Sequence, residues 1–177
     1  MKKKVMALVL SALMVTGLVG CGNNNDNSAD SKESTLKVGM ITDSGTIDDK
    51  SFNQGTWEGI IEAEEKLGIE KNYLKPSGET EADYLTEIQN LYDSGYKFIV
   101  GPGFKLETAI YKAQEKYQDA KFVILDGAPM DEDGNYVVAD NTVAIQFAEH
   151  EGGFAAGVAA AVELQTGDFG FIGGMES

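Results

Sequence analysis

The sequence predicts an α/β fold built on a doubly wound parallel sheet, and three observations carry that prediction. From Leu36 onward, short β-rich runs alternate with runs of helical period. Two of the short runs, Phe98-Ile99-Val100 and Phe122-Val123-Ile124-Leu125, are continuously apolar, as strands covered on both faces are. Most runs close on a turn signal, such as Gly101-Pro102-Gly103 or Asp126-Gly127. Strand–helix alternation of this kind implies right-handed crossovers and layers of helix on both faces of one sheet.

The elements follow in order. Leu36 to Ile41 is a β-rich run, and Thr42 to Lys50 is a polar loop. Ser51 and Gln54 have capping-box spacing and open a helix with apolar residues at Trp57, Ile60, Ile61, Ala63 and Leu67; Gly68 stops it. Tyr73-Leu74-Lys75 is a weak strand ended by Pro76. Residues 80–94 form a second helix, with Tyr84, Leu85, Ile88, Leu91 and Tyr92 inward. Lys97 to Val100 is a strand, Leu106 to Tyr117 marks a third helix, and Lys121 to Leu125 is another strand. Met130 to Asn135 is an acidic turn. Tyr136–Ala139 and Thr142–Phe147 read as two short strands, and Phe147 to Glu163 as a helix rich in Gly and Ala. Phe169 to Ile172 starts one more strand. A strand at that point needs a partner for its backbone groups, so the expectation is one α/β lobe at 36–145, with 146–177 as the crossover helix and first strand of an incomplete second lobe.

The first residues read as an address. Lys2, Lys3 and Lys4 precede an apolar run from Val5 to Val19, short of the roughly 20 residues a membrane-spanning helix needs. Leu18-Val19-Gly20-Cys21 resembles the lipobox of bacterial lipoproteins. That resemblance implies that residues 1–20 are a signal peptide and that Cys21 carries lipid, with palmitate among its acyl chains. Several acyl chains together anchor stably where one does not. Residues 21–35, which read CGNNNDNSADSKEST, are polar and form a tether. The expected location is the cell membrane, lipid-anchored on its outer side.

Composition excludes several functions. The 177 residues hold 14 basic and 29 acidic side chains for a net charge of −15, and every basic residue is Lys. An acidic chain without Arg is ill suited to nucleic acid or to phosphate ligands. One Cys and one His give neither an internal disulfide nor a structural zinc site. No metal, cofactor or nucleic-acid partner is expected. No nucleophile, zinc-protease or phosphate-loop pattern occurs, His150 reads as solvated or structural, and the chain is read as a binding protein and not an enzyme.

In open α/β sheets ligands sit beyond the carboxyl ends of the strands. Those ends here carry Asp43, the Gly101–Phe104 loop and Asp126, while Asp48, Asp49, Phe52 and Asn53 complete the first loop. An aromatic face, an amide and carboxylates suit a flat, polar, uncharged ligand with hydrogen-bond donors. Each residue also has a plainer reading. Phe52 is equally a staple of helix to sheet, and Asn53 a surface amide. Asp43 and Asp126 also suit turn capping, and Asp48 and Asp49 suit a positive helix N-terminus.

The stretch 38–59, VGMITDSGTIDDKSFNQGTWEG, resembles the opening of the basic membrane protein family, substrate-binding lipoproteins of ABC importers that include purine nucleoside receptors. FIVGPGF at 98–104, KFVILDG at 121–127, EGGFAAG at 151–157 and GFIGGME at 170–176 agree with it. The resemblance implies a type I periplasmic-binding-protein fold, two α/β lobes about a hinge, in proteins about twice this length. It implies a purine nucleoside ligand, an ABC permease as partner, and a monomer. It also implies that Phe52 stacks on the base, that Asn53, Asp43 and Asp126 hold its edge, and that Met175 lines the cleft from the other lobe. Two alternatives stand beside transport: a surface lipoprotein acting as sensor or interaction protein, and a sugar-type binder on the same fold.

Overall fold

Successive residues of a strand point to opposite faces, and in this chain the two faces are packed by different helices. The computed structural model describes residues 35–165 and 167–173. The order is β1 (Lys37–Ile41), α1 (Phe52–Leu67), β2 (Glu70–Leu74), α2 (Glu81–Asp93), β3 (Phe98–Pro102), a 3-10 turn (Phe104–Leu106), α3 (Glu107–Lys116), β4 (Lys121–Leu125), β5 (Thr142–Ile145) and α4 (Glu149–Leu164). All neighbouring strands pair in parallel, in the spatial order β2-β1-β3-β4-β5. The doubly wound parallel sheet read from the sequence is the one that forms.

On one face, Ile41, Ile99, Phe122 and Ile124 meet Tyr84, Ile88 and Leu91 of α2 and Ala109, Ile110 and Ala113 of α3, all essentially fully buried. Gly39 and Gly101 point to this same face. A Cβ on Gly39 would lie 2.9 Å from Leu91 Cδ1, and one on Gly101 3.0 Å from Ile110 Cδ1. Those glycines let the helices approach the sheet closely. On the other face, Val38, Met40 and Val100 pack with Ile60 of α1 and Ile69, while Phe98, Val123 and Leu125 are only partly covered. Further along, Val143 and Ile145 of β5 are exposed. Cover on this face thus thins from β1 to β5.

Helix ends follow local chemistry. Gly68 adopts a left-handed φ of 68° and its N–H donates to Glu64 O, closing α1 as expected. The expected capping box at Ser51 and Gln54 forms differently: the Ser51 side chain makes no capping bond. Asp49 takes that place, its Oδ1 accepting from Ser51 N at 2.8 Å and Gln54 N at 3.1 Å, while Gln54 Oε1 accepts from Lys50 N at 3.0 Å. A carboxylate is a stronger acceptor for backbone N–H groups than a hydroxyl. At α2, Thr80 and Asp83 make a complete box.

Three strands differ most from expectation, beside shifts of one or two residues at the ends of others. The second begins earlier, at Glu70, because residues Glu70 to Leu74 find a continuous ladder along β1. Tyr136–Ala139 is not a strand. It keeps one isolated bridge, Met130 to Tyr136, and its backbone bonds Gln114 instead, whose Nε2 donates to Val137 O at 2.8 Å and whose Oε1 accepts from Ala139 N at 3.2 Å. Phe169–Ile172, also expected as a strand, is irregular, with Phe171 and Ile172 almost wholly exposed. Its residues are β-prone, but among the described residues nothing runs beside them to complete a ladder. The Gly- and Ala-rich helix expected after β5 forms as α4, yet it buries none of its residues. The stretches expected to be a signal peptide, a lipid-bearing Cys21 and a tether lie outside the described residues through residue 34, as does Met175.

Candidate functional site

Because the chain goes from β1 outward to β2 and then back across β1 to β3, the strand order reverses between β1 and β3. Loops leaving two adjacent strands in opposite directions open a crevice at their carboxyl ends. Asp43 and Gly103 stand at those ends.

Asp43 begins the β1–α1 loop. Its Oδ1 accepts from Gly45 N at 2.8 Å and from Asn53 Nδ2 at 2.6 Å, and its own N–H donates to Asn53 Oδ1 at 3.1 Å. Asn53 Nδ2 also donates to Asp49 Oδ2 at 2.7 Å. Asn53, in the first turn of α1, is 1% exposed and is the hub of the loop, its amide oxygen and nitrogen both engaged by Asp43 and Asp49. A Cβ on Gly45 would lie 2.5 Å from Asn53 Nδ2, so only Gly closes this ring. Gly103, with φ of 98°, approaches from β3, where a Cβ would sit 3.5 Å from Asp43 Oδ2. Burial opposes ionisation of Asp49, but the bonds from Asn53, Gln54 and Ser51 outweigh it and hold the carboxyl below its ordinary value. Lys105 at the same rim donates to Glu79 Oε2 at 2.6 Å and Ser44 Oγ at 3.2 Å. The Glu79 bond first, then the charges of Glu79 and Asp43 against a burial penalty, raise its pKa.

Asp126 stands at the end of β4, two strands from Asp43. At a strand spacing of about 4.8 Å the two chain ends are roughly 10 Å apart. Asp126 adopts a left-handed φ of 58°, and its N–H donates to Ile145 O at 2.7 Å. With Phe104, Glu107, Gly127, Tyr136, Phe147 and Glu149 among its neighbours, it lines a largely polar cavity of about 510 Å³. Burial, then the hydrogen bond and charge of Glu149, push the Asp126 carboxyl up.

Phe52 is 45% exposed at the mouth of α1. Its ring centroid is 6.0 Å from that of Phe147, tilted by 31°. The two rings close one end of an apolar groove of about 720 Å³ floored by Phe98, Val100, Val123 and Leu125. The sequence-derived candidates thus fall into three neighbouring places: Asp43 and Asn53 bonded together, Phe52 beside them on the groove, and Asp126 in the polar cavity. Phe147 lines both groove and cavity. From sequence, Phe104 stands out only as the end of the Gly101–Phe104 loop and Phe147 only as a strand–helix boundary, while Glu107 is not singled out. The signal for these two aromatics is their place two positions past a strand end. Glu107 gave none, since an acid in a first helical turn is ordinary.

Comparison with known proteins decides the family. Residues 36–177 match the family of PnrA-like ABC transporter substrate-binding proteins, also called Bmp. The chain belongs to this family. A protein of Lactococcus lactis named ABC transporter nucleoside-binding protein BmpA is 36% identical over 100% of this chain and 50% of its own length. A Listeria innocua protein named CD4+ T-cell-stimulating antigen is 36% identical over 99% of this chain and 50% of its own. The chain spans about half the length of these curated relatives. Among solved structures, an Aeropyrum pernix ABC transporter solute-binding protein superposes with a TM-score of 0.61 at 27% identity, covering 71% of this chain and 32% of that one. The fold and the family are therefore those of a substrate-binding protein of ABC transporters.

Proposed function

We propose that this family member takes purine nucleosides at the carboxyl ends of β1, β3 and β4 and hands them to an ABC permease, acting as a monomer tethered to the outer face of the membrane by lipid on Cys21. The single observation that carries the ligand class is the half-exposed Phe52 ring, 6.0 Å from that of Phe147, whose side chain also lines the polar cavity holding Asp126 in a chain without Arg. A ring face accepts a base by stacking, and carboxylates accept the N–H groups of its edge. A nucleotide would bring phosphate charge against a chain of net charge −15. The roughly 10 Å between the ends of β1 and β4 suits a ligand of nucleoside length. The name of the Lactococcus lactis relative points the same way.

Asn53, committed to Asp43 and Asp49, supports the site in this reading by fixing the Asp43 carboxylate. Any contact it makes with a base would use an exchange of those bonds. Asp126 and Met175 would complete the site around the ligand, the latter from beyond the described residues.

The test is thermal unfolding of the soluble protein, expressed from its whole reading frame without residues 1–21, against guanosine, adenosine, inosine, cytidine, ribose and GMP. A ligand that binds only the native state adds about 2.7 kcal/mol at a hundredfold excess over Kd. Purine nucleosides should raise the midpoint, and ribose and GMP should not. A shift with ribose alone would move the sugar reading forward. No shift with any of them would sink the nucleoside reading in favour of a sensor or interaction lipoprotein.

A further inference from the structure

The geometry points to Glu107 as a positioning residue of the ligand cleft, whose buried carboxyl holds the Gly127-Ala128 turn so that Asp126 keeps the left-handed conformation in which it lines the cavity. The inference rests on the nucleoside reading for its functional consequence, though its mechanics do not.

Glu107 is the first residue of α3 and is only 8% exposed, unusual for a carboxyl with no basic partner among the described residues. It grips the chain after β4 twice. Its Oε1 accepts from Ala128 N at 3.1 Å, and its backbone carbonyl accepts from Met130 N at 3.3 Å. The fit is close: a Cβ on Gly127 would lie 2.9 Å from the same Oε1 and 3.2 Å from Phe104 Cα, so the turn is clamped between α3 and the 3-10 turn. The clamp acts on a residue under strain. Asp126 is one of three non-glycine residues with positive φ among the described residues, and such a conformation persists only where surroundings enforce it. On its other side Asp126 is held by its N–H to Ile145 O. Glu107 is thus the side-chain half of a two-sided mount. Keeping it buried carries a cost, since burial, partly offset by the Ala128 bond and reinforced by the Asp126 charge, pushes its carboxyl up.

Two variants of the full-length protein test this. Glu107→Gln keeps a carbonyl oxygen for Ala128 N–H, whereas Glu107→Ala removes it. Nucleoside affinity, measured by calorimetry on folded protein, should fall about tenfold or more in Glu107→Ala and stay within about threefold of the parent in Glu107→Gln. A purely structural role would lower the unfolding midpoint of Glu107→Ala while leaving the affinity of the folded protein untouched, and that result would overturn the inference. So would equal losses in the two variants. Amide hydrogen exchange supplies an arm that needs no ligand: Ala128 N–H should exchange faster in Glu107→Ala and return toward the parent rate in Glu107→Gln. If the parent binds no nucleoside, that reading fails by itself. Exchange at Ala128 then decides alone, faster exchange with Gln rescue supporting the mount and an unchanged rate removing it.

Discussion

The two faces of the sheet are made by alternate residues of the same strands, yet they behave as different materials. Under α2 and α3 the packing is closed: Tyr84, Ile88, Leu91, Phe122 and Ile124 are at most 1% exposed, and the strands carry Gly39 and Gly101 to admit the helices. Beside α1 the packing is open, with a groove of about 720 Å³ and apolar side chains on β5 facing out. The lesson is that strand composition alone does not set how tightly a face packs. Phe98, Val123 and Leu125 are as apolar as Ile99 and Ile124, and what differs is the helix that reaches them. The closed face is where stability concentrates. The open face adjoins Phe52 and the crevice, where regions of fewer buried contacts are the ones free to meet a ligand.

The comparison can be broken most directly by truncation. Leu91→Ala on the closed face should cost about 2–5 kcal/mol, because neighbours so tightly fitted collapse only partly into the void. Val143→Ala on the open face should cost less than about 1 kcal/mol. Urea denaturation of both variants measures the contrast, and comparable losses would erase it.

A ligand-side probe comes next. Phe52→Ala should weaken purine nucleoside binding by about 1–3 kcal/mol through lost stacking, with little change in unfolding midpoint because the ring is half exposed. Calorimetric titration of the folded variant reads it, and unchanged affinity would assign the ring to packing against Phe147.

Glycine substitutions sharpen the contrast by reversing sign. Gly39→Ala places a methyl 2.9 Å from Leu91 Cδ1 and 3.2 Å from Tyr96 Cβ, and overpacking of this kind costs about 1–3 kcal/mol. Gly55 and Gly59 lie within α1 on the open side, where a Cβ would meet nothing within 4 Å. Gly55→Ala and Gly59→Ala should each stabilise by about 0.5–1 kcal/mol through helix propensity. Thermal midpoints moving in the same direction for both sites would contradict the picture.

The smallest effect is in pH. At the β1 end of the crevice Asp49 is held below its ordinary value, so its contribution is present above the unfolded-state pKa of about 3.9 and is lost as pH falls through the folded value. At the β4 end Glu107 and Asp126 are held above theirs. The folded state keeps those protons more tightly, so their contribution is full below about pH 4 and declines as pH rises through the folded values. Asp49→Asn should therefore flatten the loss of stability on acidification. Glu107→Gln should remove part of the decline just above about pH 4. Denaturation midpoints collected from pH 2.5 to 7 would show two opposite changes, and a single shared trend would refute the assignment.

Much of this was legible in the sequence because it is local or periodic. The helical stripe through Tyr84, Ile88 and Leu91, the apolar runs of β3 and β4 and the stop at Gly68 all announce themselves within a few residues. The loop from Asp43 to Asn53 was legible as a cluster of chemistry but not as a structure. The competition between Asp49 and Ser51 for the first N–H groups of α1 depends on how the chain turns at Lys50, whose φ is 58°. The expected strand at Tyr136 failed for a different reason. Its β propensity is real, but Gln114, from α3, takes up its backbone groups by bonding to Val137 O and Ala139 N.

By itself the sequence determined the fold class, the family and the residue types offered to a ligand, because alternation, turn chemistry and an uninterrupted motif from Val38 to Gly59 are properties of the chain in one dimension. The tertiary structure alone decided that Asn53 is buried between two carboxylates, that Phe147 reaches Phe52, and that Glu107 braces Asp126 across 19 positions of sequence. Those relations arise where the β1 and β3 loops diverge and where α3 meets the end of β4. No periodicity encodes them, since each is set by which elements the sheet order places side by side.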